Sequence, residues 1–128
     1  MQNSTSPRRA RRVARRALRA TVRTRARQHR LVTGCARKPR SITSHLLAAG
    51  LDRDTAAGAA NGLRAVARRL GIVPAAVGRT RRTVHGGRGR LHTVARYTRR
   101  QVLALMAAYR PRKAAYREAR ALVLGLAA

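Results

Sequence analysis

Thirty-one Lys and Arg residues stand against three Asp and Glu in a chain of 128, a formal charge of +28. A compact chain so charged repels itself unless a polyanion neutralises it, and nucleic acid is the polyanion this balance implies. Apolar residues make up 45%, too many for a chain that stays wholly disordered, yet aromatics are only 2%. The core must therefore be small and built from Ala, Leu and Val. The length allows one small domain plus a tail. No run of about 18 uncharged apolar residues occurs, so no membrane span is expected. Of the basic residues only Lys38 and Lys113 are Lys. With abundant Ala and Gly, that bias points to a high-GC genome, of actinobacterial or phage type, and a nucleic-acid partner makes a cytoplasmic, nucleoid-associated location the expectation.

General acid–base work and two-metal phosphoryl transfer need paired carboxylates, and only Asp52, Asp54 and Glu118 are present. Asp52 and Asp54 precede an Ala-rich helical run, where acidic side chains cap free N–H groups and complement the helix dipole. Cys35 stands alone, and His29, His45, His85 and His92 lack the spacing of a zinc site. No catalysis, metal or cofactor is expected. The one nucleophilic constellation to consider, that of the tyrosine recombinases, needs His-x-x-Arg and a distant Tyr. The segment from His92 to Arg96 has one residue too many, and the chain is too short.

Residues 1–40 contain no acidic residue and open on a polar stretch. Arg8, Arg12, Arg15, Arg16, Arg19 and Arg23 follow helical spacing. Like charges at i, i+4 oppose a helix, so this arm is expected to be disordered alone and helical on a partner. Blocks of like charge this long are usually interaction arms rather than solvated tails. An Arg-rich, acid-free N-terminus also fits a mitochondrial transit peptide.

From residue 41 the pattern predicts an α-rich domain. Ser41 opens a short helix that Gly50 stops, and Asp52 caps a second helix ending at Gly71 in the left-handed region. In that helix Ala56, Ala59, Leu63, Val66 and Leu70 form one stripe, and Ala57, Asn61, Arg64 and Arg68 the other. Over residues 79–97 the period changes to two around a Gly-rich centre, which predicts a β-hairpin. With a loop at residues 86–89, Arg79 would face Arg96, Thr83 His92 and His85 Arg90, while Val84 faces Leu91 and Thr80 Ala95 on the packed side. Thr98 and Gln101 form a capping box for a third helix. A fourth helix over residues 112–128 carries Tyr116, Ala119, Leu122, Val123 and Leu126 on a broad apolar face, which predicts core packing or a homodimer seam at residues 122–126.

Two segments carry a family resemblance. Leu46-Leu-Ala-Ala-Gly50-Leu-Asp-Arg-Asp-Thr-Ala56 resembles a helix-turn-helix core with Gly50 at the turn. Arg96-Tyr-Thr-Arg-Arg-Gln-Val-Leu-Ala-Leu105 is similar to the wing-to-helix junction of MerR-type regulators and small phage excisionases. The resemblance spans residues 44–109 and implies a winged helix-turn-helix domain that binds DNA. It departs from the pattern at Leu46, where the family usually has Ala or Gly. Ala57 and Gly58 also lack side chains for reading bases, and Asp52 and Asp54 would face phosphates unfavourably.

The expected partner is double-stranded DNA, with no membrane role, in a regulator or a recombination, plasmid or phage accessory factor. Wing contacts are expected from Arg79, Arg81, Arg82, Arg90 and Arg96, with Arg88 at the tip. Arg53, Arg64, Arg68, Arg99 and Arg100, together with the arm arginines, would hold phosphates. Structured RNA, as in a ribosome-associated protein, and nonspecific DNA condensation or virion packaging are the alternative classes.

Overall fold

The computed structural model describes residues 6–84 and 86–128, with Arg82, Thr83, Val84 and Arg88 described by their backbone alone. The elements run α1 (Pro7–Arg37), α2 (Ile42–Ala48), α3 (Arg53–Leu70), β1 (Ala76–Val84), β2 (Gly87–Arg96), α4 (Arg99–Ala108) and α5 (Ala114–Ala127). The described chain is mainly helical with one two-stranded antiparallel hairpin, the coarse architecture that the periodicity predicts. It divides into two compact units, Met1–Arg30 and Leu31–Ala128.

The basic arm, expected to be disordered without a partner, is helical from Pro7. Pro7 takes the first helical position, where its missing N–H is no loss. Neither Gly nor Pro follows until Gly34, and Ala and Arg are strong helix formers. The Thr21 and Thr24 hydroxyls donate to the Ala17 and Ala20 carbonyls at 3.0 and 2.9 Å. These local preferences outweigh repulsions of a few tenths of a kcal/mol per charged pair. In the first unit the six arginines singled out by spacing fall within about 100° of arc, and all are exposed.

The second unit begins with the end of α1, where Cys35 is buried. The Ser41 hydroxyl accepts from the Ser44 N–H to start α2, and Gly50 leaves that helix at φ +96°. The Asp52 carboxylate accepts from the Thr55 N–H at 3.1 Å, and α3 closes on Gly71 at φ +67°. Ala56, Ala59, Leu63 and Val66 enter the core as their stripe predicts, whereas Leu70, in the last turn, is half exposed. Ala60 and Ala67 join the buried face instead. Ile42, Leu46, Leu63, Val102, Leu105, Met106 and Val123 fill the core, with Tyr97 and Tyr109 closing it.

Small residues on α3 admit the large rings. The Tyr116 hydroxyl lies against Gly58, and a Cβ at Gly62 would stand 2.7 Å from the Tyr109 ring. The Met106 and Ala107 carbonyls at the end of α4 accept from the Arg120 side chain at 2.9 and 3.2 Å. Arg110 donates to Ala107 at 2.7 Å. These guanidinium groups satisfy carbonyls that a helix end otherwise leaves to water. On α5, Ala119 and Val123 are buried, while Leu122 and Leu126 are about half exposed.

The hairpin forms as predicted but in another register. Arg79 opposes Thr93, not Arg96; Thr80 opposes His92, not Ala95; and Thr83 opposes Arg88, not His92. Val84 opposes Gly87 and Leu91 opposes Arg81, while Arg96 stands opposite Ala76. The expected pair of His85 with Arg90 lies outside the described residues. The physical reason is the turn: Gly86 sits at φ +74° between strands that end at Val84 and begin at Gly87, so no loop extends to Gly89. A register shift between Arg81 and Thr83 puts three steps on β2 against two on β1. Because the expected register is displaced by an odd number of residues, the faces change partners. Leu91 and Val77, 52% and 66% exposed, do not pack inward, and among the hairpin's described apolar side chains Ala95 is the one packed against the core.

Two glycine substitutions separate packing from helix propensity. Gly62→Ala is expected to lower stability by about 1–3 kcal/mol despite better propensity, because the Tyr109 ring must move. Nothing lies within 4 Å of a Cβ at Gly125, so Gly125→Ala should raise stability by about 0.4–1 kcal/mol. Urea denaturation of the full-length variants checks both; a stabilised Gly62→Ala variant would refute the ring-in-groove packing.

Candidate nucleic-acid interface

The root of the hairpin is fixed by backbone pairing. The Arg40 N–H donates to the Tyr97 carbonyl at 3.0 Å and the Tyr97 N–H to the Arg40 carbonyl at 2.8 Å, a one-residue antiparallel bridge. Buried His45 on α2 donates from Nε2 to the same Tyr97 carbonyl at 2.7 Å. One residue later the predicted capping box is present. The Thr98 hydroxyl accepts from the Gln101 N–H at 3.2 Å, and the Thr98 N–H donates to the Gln101 side chain at 2.9 Å. Gln101 Nε2 also donates to the Val73 carbonyl at 2.8 Å, tying α4 to the segment that enters β1.

These ties hold one hairpin face opposite α2 and α3 across an open cavity of about 670 Å³. Arg40, Arg64, Arg96 and His92 line it with the hydroxyl residues Ser41, Thr43, Ser44, Thr80 and Thr93, and among the described residues no carboxylate lines it. Arg64 is held by the Asn61 amide oxygen at 2.8 Å and reaches the Thr43 hydroxyl at 3.5 Å.

Of the arginines expected to bind, the groove brings together Arg64 and Arg96. Arg79 and Arg81 are exposed on the other face of β1, since they alternate with Gly78 and Thr80. Arg53 and Arg68 lie exposed on α3, Arg90 on β2, and Arg99 and Arg100 in the first turn of α4, where positive charge opposes the helix dipole. Arg8, Arg12, Arg15, Arg16, Arg19 and Arg23 belong to the first unit. The side chains of Arg82 and Arg88 lie outside the description. Sequence reasoning missed Arg40, having ended the arm at that residue. The available signal was an extended residue between Pro39 and the helix-capping Ser41, the place for a short strand.

Burial pushes the His45 imidazole below its ordinary value, with nearby Arg99 and Arg40 adding to the effect and the Tyr97 hydrogen bond opposing it. Burial likewise raises the Cys35 thiol, against the lowering pull of Arg40. The Thr55 hydrogen bonds hold the Asp52 carboxyl low, as suits a helix cap. Among the described residues no cluster of three His, Cys, Asp or Glu is placed to hold a metal, and no helix is long and apolar enough to cross a membrane. Comparison with known protein families, curated proteins and solved structures finds no match.

His45 gives the fold a pH dependence with a definite sign. Its folded value lies below 6.5, so on acidification the unfolded chain takes up the proton first. The contribution is complete above 6.5 and declines as pH falls through the window between the unfolded and folded values. The carboxyl of Asp52, whose unfolded value is near 3.8, is silent in that range. The melting temperature should therefore drop between about pH 7.5 and about pH 5. In a His45→Gln variant, which keeps a donor but cannot titrate, the drop should be smaller; an unchanged slope would remove His45 from the account.

Proposed function

We propose that this protein binds double-stranded DNA through a winged helix-turn-helix domain and acts as a regulator or as an accessory factor in recombination, plasmid or phage maintenance, without catalysis of its own. The carrying observation is the groove in which Arg40, Arg64 and Arg96 converge from three elements, with no carboxylate among the described residues that line it. Supporting it is the order of α2, a turn at Gly50, α3, a hairpin and α4, with the one-residue Arg40–Tyr97 bridge at the hairpin root. That order suits the proposed winged-helix layout, in which the second helix and the wing would face the duplex.

In this reading Arg64, Arg68 and Arg53 hold phosphates beside α3, and the hairpin arginines Arg79, Arg81 and Arg90 reach along the duplex. Ala57 and Gly58 give α3 little to read in the major groove, and Asn61 is engaged by Arg64. Sequence preference then comes from wing arginines in the minor groove and from the shape of the DNA. Residues 8–30 form a separate basic helical surface. At 1.5 Å per residue they span about 33 Å, close to one turn of duplex.

If about six phosphates are neutralised, the salt slope is about −5, and affinity falls roughly a thousandfold between about 50 and about 200 mM salt. Titration of the full-length chain against duplex at several salt concentrations measures this, and a shallow slope would reject the electrostatic assignment. Competition between duplex DNA and structured RNA at matched salt tests the polymer class. Retention of RNA over DNA would overturn the DNA reading in favour of RNA.

A further inference from the structure

The arginines of the groove are held differently from those elsewhere on the surface. Arg40 is pinned through its backbone to Tyr97, and its guanidinium occupies the space beside Gly34, where a Cβ would stand 3.2 Å from Nη2. The Arg96 guanidinium lies over Gly78, where a Cβ would come to 2.5 Å. Gly34 is inside α1 and Gly78 inside β1, places where glycine ordinarily weakens the element. Both absences of a side chain make room for a groove arginine. Arg64, the third, is oriented by Asn61 and Thr43. Like charges gathered in one concavity repel, and such preorganisation favours a ligand that brings the compensating charge.

We propose that this groove is a seat for a phosphoryl anion of more than one charge, with Arg40, Arg64 and Arg96 as its ligands and the Thr43 and Thr80 hydroxyls as further hydrogen-bonding partners. Planar guanidinium forks match phosphoryl oxygens in geometry as well as charge. A volume of about 670 Å³ admits two linked phosphoryl groups, and among the described residues the lining holds no Phe, Tyr or Trp to favour an apolar ligand. Two adjacent phosphates of a nucleic-acid backbone and the oligophosphate of a free nucleotide present the same chemistry. The seat deepens the DNA reading and rests on it only for the first of these sources.

The test uses the full chain and two probes, inorganic pyrophosphate and a duplex of about two turns, measured by calorimetry and by titration respectively. Arg64→Gln and Arg96→Gln should each weaken pyrophosphate binding at least tenfold, while Arg112→Gln, an equal loss of charge at an exposed residue outside the groove lining, should change it less than twofold. Gly78→Ala keeps every charge and displaces only the end of the Arg96 side chain; it should weaken pyrophosphate binding several-fold with an unchanged melting temperature. Equal effects of Arg112→Gln and Arg96→Gln, full binding by Gly78→Ala, or no pyrophosphate binding to the parent chain would each overturn the seat, and persistent duplex binding would leave the DNA reading standing. If duplex affinity falls about tenfold in Arg96→Gln with a salt slope shallower by about one, the seat holds backbone phosphates. Selective loss of pyrophosphate binding with no duplex binding by the parent chain would keep the seat, assign it to a free phosphoryl ligand and remove the DNA reading.

Discussion

The Tyr97 carbonyl is the junction on which the second unit depends. It accepts from the Arg40 backbone and from buried His45 at once. Through it the residue before α2, the middle of α2 and the end of β2 share one hydrogen-bonding centre, and Tyr97 itself is packed in the core. Few apolar residues of the hairpin reach that core, so a ribbon that would be marginal by itself is held mainly at its root. The groove follows from the same junction. Arg40 is one member of the bridge and Arg96 precedes the other, and neither could be aimed reliably from a free loop.

The core shows how a chain with so few aromatics closes around them. Ala56, Ala59, Ala60 and Ala67 let α3 lie close to its neighbours, and Gly58 and Gly62 extend that smooth surface to the side where Tyr116 and Tyr109 rest. Small residues thus make three tyrosines sufficient. Propensity is sacrificed at both glycines, a loss of about 1 kcal/mol each, and ring burial offsets it.

What could be read from the sequence was local. The Asp52 cap, the Gly71 stop and the Thr98–Gln101 box depend on residues a few positions apart, and each stands where the pattern puts it. The hairpin was legible as an element because alternation and glycines mark it, but its register was not. One turn glycine moves every pair, and the Gly-rich centre offers several turns of similar merit. Arg40 left only its place between Pro39 and the helix-capping Ser41 as a signal, because a one-residue bridge leaves no periodicity. Arg120 was illegible because its acceptors, Met106 and Ala107, belong to another helix. In the N-terminal arm two local effects oppose one another, repulsion between like charges and the helix preference of Ala and Arg, and the residues from Pro7 are helical.

Arginine in this molecule serves two purposes that the charge count alone does not separate. Arg110 and Arg120 spend their donors on helix carbonyls, where backbone dipoles welcome positive charge and no carboxylate is needed. Arg64 accepts orientation from Asn61, a neutral partner that fixes its direction without cancelling its charge. The chain thereby satisfies the hydrogen-bonding geometry of these groups while leaving the field around them positive. A carboxylate in place of Asn61 would have held Arg64 more firmly, but it would have cancelled the charge facing the groove. The near absence of acids is therefore more than a matter of net charge, since neutral partners preserve both fold and field.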